Sequence, residues 1–289
     1  NAQAAALETL TFTAPDARLQ QDIAASMSSN VPIRKARRQL LVDVSHLAVI
    51  DAKSGIQRVV RAILGYLMSD FGDQFDIRPV AARGDRGYHY ANEFAARFLG
   101  VDINVEDRPV DVCPGDIFLG LDLTSDVAHL HEDWFNHIRK LGAKVVFVIY
   151  DLLPNLSPQY FPDTVVEAAD RWLRLVLRSA DQAVCISRTV AAELKDWSSH
   201  VEVTRDIPLQ IDSWPLGADI EASKPSSEDM EGGEEILAKL SQRPSVLMVG
   251  TIEPRKGHDQ ALAAFTELWK RGTDVNLVII GKAGWNVDE

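Results

Sequence analysis

From position 40 onward, short apolar runs alternate with stretches whose apolar residues recur every three to four positions. Residues 40–44, Leu-Leu-Val-Asp-Val, read as a strand. Ile56, Val59, Val60, Ile63, Leu64, Leu67, Met68 and Phe71 then share one wide helical face. A short strand is expected over 77–80, an irregular aromatic stretch over 88–98, a strand over 116–120 and a helix over 124–141. The run 145–150, Val-Val-Phe-Val-Ile-Tyr, is apolar at successive positions, as a central parallel strand covered on both faces must be. Val165, Ala169, Trp172, Leu173, Val176, Leu177 and Ala180 mark a further helix. A strand over 183–186 leads into another helix, with Ser187 as a cap residue whose hydroxyl satisfies a free amide.

This order predicts an α/β fold with a Rossmann-like, doubly wound parallel sheet. The Ser-, Pro-, Gly- and acid-rich stretch 222–233 marks an exposed linker. Beyond it, a strand (246–250), a helix (259–271) and a strand (276–281) begin a second Rossmann-like unit. One such unit leaves its strands uncovered, so a truncated domain, or cover by another surface, is expected. The expected boundaries are a preamble over 1–39, carrying a helical spacing at Leu19, Ile23 and Met27, a first domain over 40–220, a linker over 221–243 and an incomplete domain over 244–289. A chain that starts at Asn1 is expected to be one module of a longer polypeptide.

Composition narrows the function. At 289 residues with a net charge of -12, the chain lacks the basic excess of a nucleic-acid binder. The basic run Arg34-Lys35-Ala36-Arg37-Arg38 reads as a solvated linker, with contact to acidic lipid headgroups as the alternative. Cys113 and Cys185 lie far apart and read as small buried hydrophobes of a reducing compartment. No apolar run reaches the ~18 residues of a membrane span.

Ligands of open parallel sheets sit beyond the carboxyl ends of the strands, where loops feed helix N-termini. Three such loops carry candidate chemistry. Ser54-Gly55-Ile56-Gln57-Arg58 opens the first long helix, and its glycine lets a backbone approach an anion at the free amides; a plain turn is the alternative. It is no dinucleotide fingerprint. Tyr150-Asp151-Leu152-Leu153-Pro154 ends the most apolar strand; Asp151 either accepts sugar hydroxyls or caps the turn. In Gly250-Thr251-Ile252-Glu253-Pro254-Arg255-Lys256-Gly257-His258, two adjacent cations oppose a helix dipole unless they face a bound dianion such as a pyrophosphate. His129, Asp133 and His137 are spaced as metal ligands on the 124–141 helix. The opposite face carries Val127, Leu130, Trp134, Ile138 and Leu141, so the three read as its solvent side. Asp-x-Asp, Gly-x-Ser-x-Gly and His-Glu-x-x-His are absent from the sequence.

Together these motifs resemble family-4 retaining glycosyltransferases of the GT-B fold. The resemblance runs from about residue 40 to 289. It is carried by V-G-T-I-E-P-R-K-G-H (249–258), D-V-S-H-L with S-G-I-Q-R-V-V-R (43–61), Y-D-L-L-P with P-Q-Y-F-P (150–162), S-A-D-Q-A-V-C-I-S-R-T-V (179–190) and P-L-G-A-D (215–219). It implies a GT-B-like pair of domains and a hexosyltransferase that needs no metal or other cofactor. The partners implied are a nucleotide sugar, with mannose the guess from the S-G-I-Q-R-V loop, and a growing cell-surface glycan, free or lipid-linked. It also implies a cytoplasmic location, including the inner membrane surface. In residues, it implies that Lys256, Arg255 and Thr251 hold the donor diphosphate, approached by Gly55. It further implies that Asp151, with Tyr150 before it as a catalytic residue, lies near the reacting sugar or the acceptor, and that Ser54, Gln57 and Arg58 lie on the acceptor side. Tyr150 stands where many members carry His, and Thr251 where many carry Arg, which shifts weight to Arg255. The family's acidic E-x7-E segment would lie beyond Glu289, so these residues alone are expected to be inactive. A non-catalytic binding or scaffolding module of the same fold is the competing expectation.

Overall fold

The computed structural model describes residues 37–50, 54–84, 87–102, 105–205, 207–217 and 233–284, with position 26. The helical spacing at Leu19, Ile23 and Met27, the segment Arg34–Ala36 and most of the expected linker lie outside these residues.

The described chain runs β1 (Gln39–Asp43), α1 (Gly55–Asp70), β2 (Asp76–Ala82), β3 (Tyr88–Tyr90), α2 (Asn92–Leu99), β4 (Ile117–Gly120), α3 (Glu132–Lys140) and β5 (Lys144–Ile149). It continues through α4 (Leu153–Leu156), α5 (Asp163–Ser179), β6 (Gln182–Cys185), α6 (Arg188–Ser199), β7 (Gln210–Ser213), α7 (Gly233–Leu240), β8 (Ser245–Val249), α8 (His258–Lys270) and β9 (Asn276–Ile280). Seven strands form one sheet in the order β3-β2-β1-β4-β5-β6-β7, and β8 pairs with β9 in a second, two-stranded sheet. The registered pairs β1–β2, β1–β4, β4–β5, β6–β7 and β8–β9 are parallel, whereas β2–β3 is antiparallel. The fold class is therefore the expected Rossmann-like α/β one. By density of internal contacts the chain divides into two units, Asn1–Phe147 with Ser179–Asp181, and Val148–Arg178 with Gln182–Glu289.

In the first unit, all of β1 is buried, and Val145 to Phe147 of β5 are buried behind the exposed Lys144. Their alternate side chains enter opposite faces, so neither strand reads as polar on one side. An aromatic layer of Tyr88, Phe118, Trp134, Phe135 and Phe147 packs at ring-centroid separations of 4.7 to 5.8 Å, in the offset and edge-on arrangements aromatic quadrupoles favour. Gly120 is required here: a Cβ would lie 2.3 Å from the Phe147 ring.

Four sequence expectations change. The aromatic stretch 88–98 is not irregular; it supplies β3 and α2, because Val80, Ala81 and Ala82 offer an edge for Tyr90, His89 and Tyr88 to pair with. The helix expected over 124–141 starts only at Glu132 and follows a 3-10 turn, Ala128–His131. That tighter turn re-phases the apolar face: Ala128, His131, Phe135 and Ile138 go inward, and Leu130 is exposed. Strand β7 has no strong apolar alternation, with only Ile211 among its four residues partly covered, and the sequence did not reveal it. Finally, the last part of the expected linker, 233–243, contains helix α7.

In the second unit, β8 and β9 carry Val246, Leu247, Val249, Ile279 and Ile280 exposed, and α8 exposes Leu262 and Trp269. Gly250 and Gly281, at the ends of these strands, approach so closely that a Cβ on Gly281 would lie 1.8 Å from the Gly250 carbonyl oxygen.

Candidate functional site

The strand order reverses between the parallel neighbours β1 and β4: β2 is added on the far side of β1 and β5 on the far side of β4, and a crevice at such a switch point is where open α/β sheets bind ligands. The carboxyl ends of both strands carry a polar network. Asp43 is fully buried; its Oδ1 accepts from the Ser45 N–H (2.9 Å) and hydroxyl (2.5 Å). Its Oδ2 accepts from the Tyr88 hydroxyl (3.1 Å) and the Thr124 hydroxyl (3.3 Å). Burial lifts this carboxyl from 3.8 to about 7; hydrogen bonds from Ser45 and Tyr88 oppose the rise, and the Asp122 charge adds to it. Burial, followed by the Asp43 charge, also raises Tyr88.

Asp122 accepts the backbone N–H groups of His46 (2.9 Å), Leu47 (2.8 Å) and Leu123 (3.0 Å). Burial raises its pKa, while these donors and the neighbouring His46 charge pull the other way. Ser45 Oγ in turn accepts from the Ala82 N–H at 2.8 Å. The loop after β1 is thus bolted to the ends of β2, β3 and β4. It presents the half-exposed imidazole of His46, whose Nε2 lies 2.7 Å from Asp126. Asp43, Ser45, His46 and Leu47 belong to the D-V-S-H-L motif but were given no role from sequence, and Asp122 was not singled out; the signal was a carboxylate at the carboxyl end of two buried strands, Asp43 and Asp122.

The segment 54–58 forms as expected at the start of α1. Ser54 is the N-cap, its hydroxyl accepting from the Gln57 N–H at 3.3 Å. Gly55 is exposed, and a Cβ there would meet no atom within 4 Å. Gln57 does not face solvent: it is buried and donates through Nε2 to the Ile50 carbonyl at 2.6 Å, fastening the preceding loop. Arg58 is exposed on the helix surface.

Tyr150 is buried, whereas Asp151 is exposed and its Oδ1 accepts from the Leu153 N–H at 3.0 Å, the turn-capping bond that competed with a ligand role in the sequence reading. The spacing of His129, Asp133 and His137 is broken by the 3-10 turn, which puts His129 before the helix that holds the other two. Among the described residues no group of three His, Cys, Asp or Glu side chains is placed to hold a metal ion, and no helix is long and apolar enough to cross a membrane. Cys113 and Cys185 are buried and are not joined in a disulfide, and burial pushes the Cys185 thiol up to about 11.

In the second unit, Gly250 takes a φ of 153° at the end of β8, a backbone that L side chains rarely adopt, and Thr251 is exposed beside it. The chain then pairs Ile252 with Lys282 and Gly284: the Ile252 N–H donates to the Lys282 carbonyl (2.8 Å), and the Gly284 N–H to the Ile252 carbonyl (3.0 Å). Arg255 and Lys256 stand just ahead of the long helix, in a 3-10 turn, Pro254–Lys256. Gly257, with a φ of 76°, ends that turn and begins α8, which has no side-chain cap. The free amides of α8 therefore follow directly on the two cations. Lys256 is exposed and has no ion pair among the described residues. Arg255 is paired with Glu253, their Nε and Oε2 atoms 2.6 Å apart.

Residues 233–288 match the family model of glycosyl transferases group 1. Across most of its length the chain is also similar to proteins described as serotype-specific mannosyltransferase WbdA from Escherichia coli. Two of them are 38% identical to it over 260 residues, which is 88% of this chain and 30% or 31% of theirs. Another is 39% identical over 257 residues, 87% of this chain and 31% of its own length. The chain spans about a third of the length of these curated relatives.

Proposed function

We propose that the protein carrying this chain is a retaining, family-4 type glycosyltransferase, with mannose as the transferred sugar, acting from a nucleoside-diphosphate donor on a growing cell-surface glycan. Mannose follows the relatives, which are named as serotype-specific mannosyltransferases, and the cell-surface glycan follows the resemblance in the sequence. The observation that carries the reading is the turn Pro254–Lys256: two cations immediately ahead of the uncapped α8 N-terminus, inside the stretch that matches glycosyl transferases group 1. Free amides and fixed cations together favour a dianion, and they act most strongly on charge that builds up on a leaving diphosphate. In this reading Lys256 and Arg255 hold the diphosphate, with Thr251 beside them. The amides behind Gly55 are a second phosphate contact, and Ser54 and Arg58 serve the acceptor. Asp151 contributes through the turn it caps, and Gln57 through the loop it fastens.

The test is Lys256→Ala in the full-length protein, measured as release of nucleoside diphosphate. A charged hydrogen bond to phosphate is worth roughly 1.5–3 kcal/mol, so kcat/KM should fall about 10- to 150-fold. A mutant within about twofold of wild type removes the phosphate assignment.

A further inference from the structure

Most of the ion pairs among the described residues are surface pairs, many of them joining residues one turn apart on a helix. Glu253–Arg255 is different: the Glu253 side chain is 8% exposed and that of Arg255 24%. The Phe161 ring lies beneath the guanidinium, its centroid 5.6 Å from Cζ. Space for the carboxylate is made by Gly284, where a Cβ would lie 2.3 Å from Glu253 Cγ. No positive φ explains a glycine at that position, so the room it leaves for Glu253 is its local role.

A guanidinium has five N–H donors in a fixed plane. Here the Nε edge faces Glu253 and is shielded from solvent, without an aligned hydrogen bond, so charge and packing hold it. Among the described residues the Nη groups have no hydrogen-bond partner. One edge clamped, one face on an aromatic ring and the other edge free is the arrangement that suits bidentate capture of an oxyanion.

We propose that Glu253 and Phe161 are positioning residues that fix the Arg255 guanidinium so that its Nη edge grips the donor diphosphate beside Lys256. This rests on the donor reading above. A rival role for Glu253, as a counter-ion competing with the ligand, fits its burial poorly, because the carboxylate occupies the inner edge and leaves the outer one free. Preorganisation is what separates this arginine from a flexible surface one: less side-chain freedom is lost on binding.

The experiment is a double-mutant cycle on the full-length protein, with inorganic pyrophosphate as the probe and isothermal titration calorimetry as the readout. Arg255→Ala and Glu253→Gln should each weaken pyrophosphate binding, Glu253→Gln by about 5- to 10-fold. The double mutant should bind no more weakly than Arg255→Ala alone, because the effect of Glu253 passes through that guanidinium. Gly284→Ala keeps the charge of Glu253 but displaces it, and should reproduce the Glu253→Gln loss. In turnover, Glu253→Gln should raise the donor KM and leave the acceptor KM unchanged, a split that a general folding defect would not give. Tighter or unchanged pyrophosphate binding by Glu253→Gln overturns the proposal, as does full additivity in the cycle. If Arg255→Ala binds normally while Lys256→Ala does not, the positioning role falls and the donor site stands. If neither mutation weakens binding, both fall.

Discussion

Replacing Asp43 with Asn should change how the stability of the first unit depends on pH. Asp43 is fully buried, and burial with the Asp122 charge raises its carboxyl from 3.8 to about 7. Between those values the folded protein holds a proton that the unfolded chain has released, so folding becomes less favourable as pH rises. The contribution is complete below about pH 4, shrinks through the interval and is gone above about pH 7; at about 1.4 kcal/mol per unit the swing is roughly 4 kcal/mol. Asn has no proton to lose. Its carbonyl can still accept from Ser45, and its amide meets the hydroxyls of Tyr88 and Thr124, which rotate to accept. That exchange carries a pH-independent cost of about 1 kcal/mol. Asp43→Asn should therefore be less stable than wild type by about 1 kcal/mol at pH 4 and more stable by about 2–3 kcal/mol at pH 8. Asp122 and His131 titrate nearby in both proteins and cancel in the difference to first order. Urea unfolding at half-unit intervals from pH 4 to 8, followed by tryptophan fluorescence, measures it; Trp134 stacks on Tyr88 at 4.7 Å and reports on this region. Parallel stability curves for the two proteins would show that Asp43 stays ionised in the fold, and that its four donors outweigh its burial.

Gly55→Val should abolish sugar transfer by the full-length protein while the melting temperature moves by no more than a few degrees, because the site has room for a side chain; normal activity would return Gly55 to a plain turn. Excess EDTA should leave transfer intact, and a loss reversed by manganese or magnesium would refute the metal-free mechanism. Gly281→Ala should destabilise the second unit by about 1–3 kcal/mol through collision with the Gly250 carbonyl. Hydrogen exchange along β8 and β9 would show it as faster amide loss, and unchanged protection would contradict the close approach.

The chain's local patterns were enough to place most of the elements. These strands and covering helices were legible in the apolar pattern, since a parallel sheet buries both faces and a covering helix buries one, and each leaves its own spacing. The Arg255–Lys256 turn was visible in the same way, because cations ahead of a helix conflict with its dipole and need a reason. The Ser54 and Ser187 caps were legible too, being bonds within three residues. Only the tertiary structure showed that Asp43 and Asp122, 79 positions apart, brace a single loop. Periodicity places a residue on a face of its own element; it carries no information about which strand comes to lie alongside. The same limit hid β3 and β7, which owe their strand conformation to neighbours that offer hydrogen bonds. It also hid the partner of Arg255. That Glu253 stands two residues away was plain in the sequence, but Phe161 and Gly284 reach the pair from distant parts of the chain. The clamp exists only once the fold has brought them there.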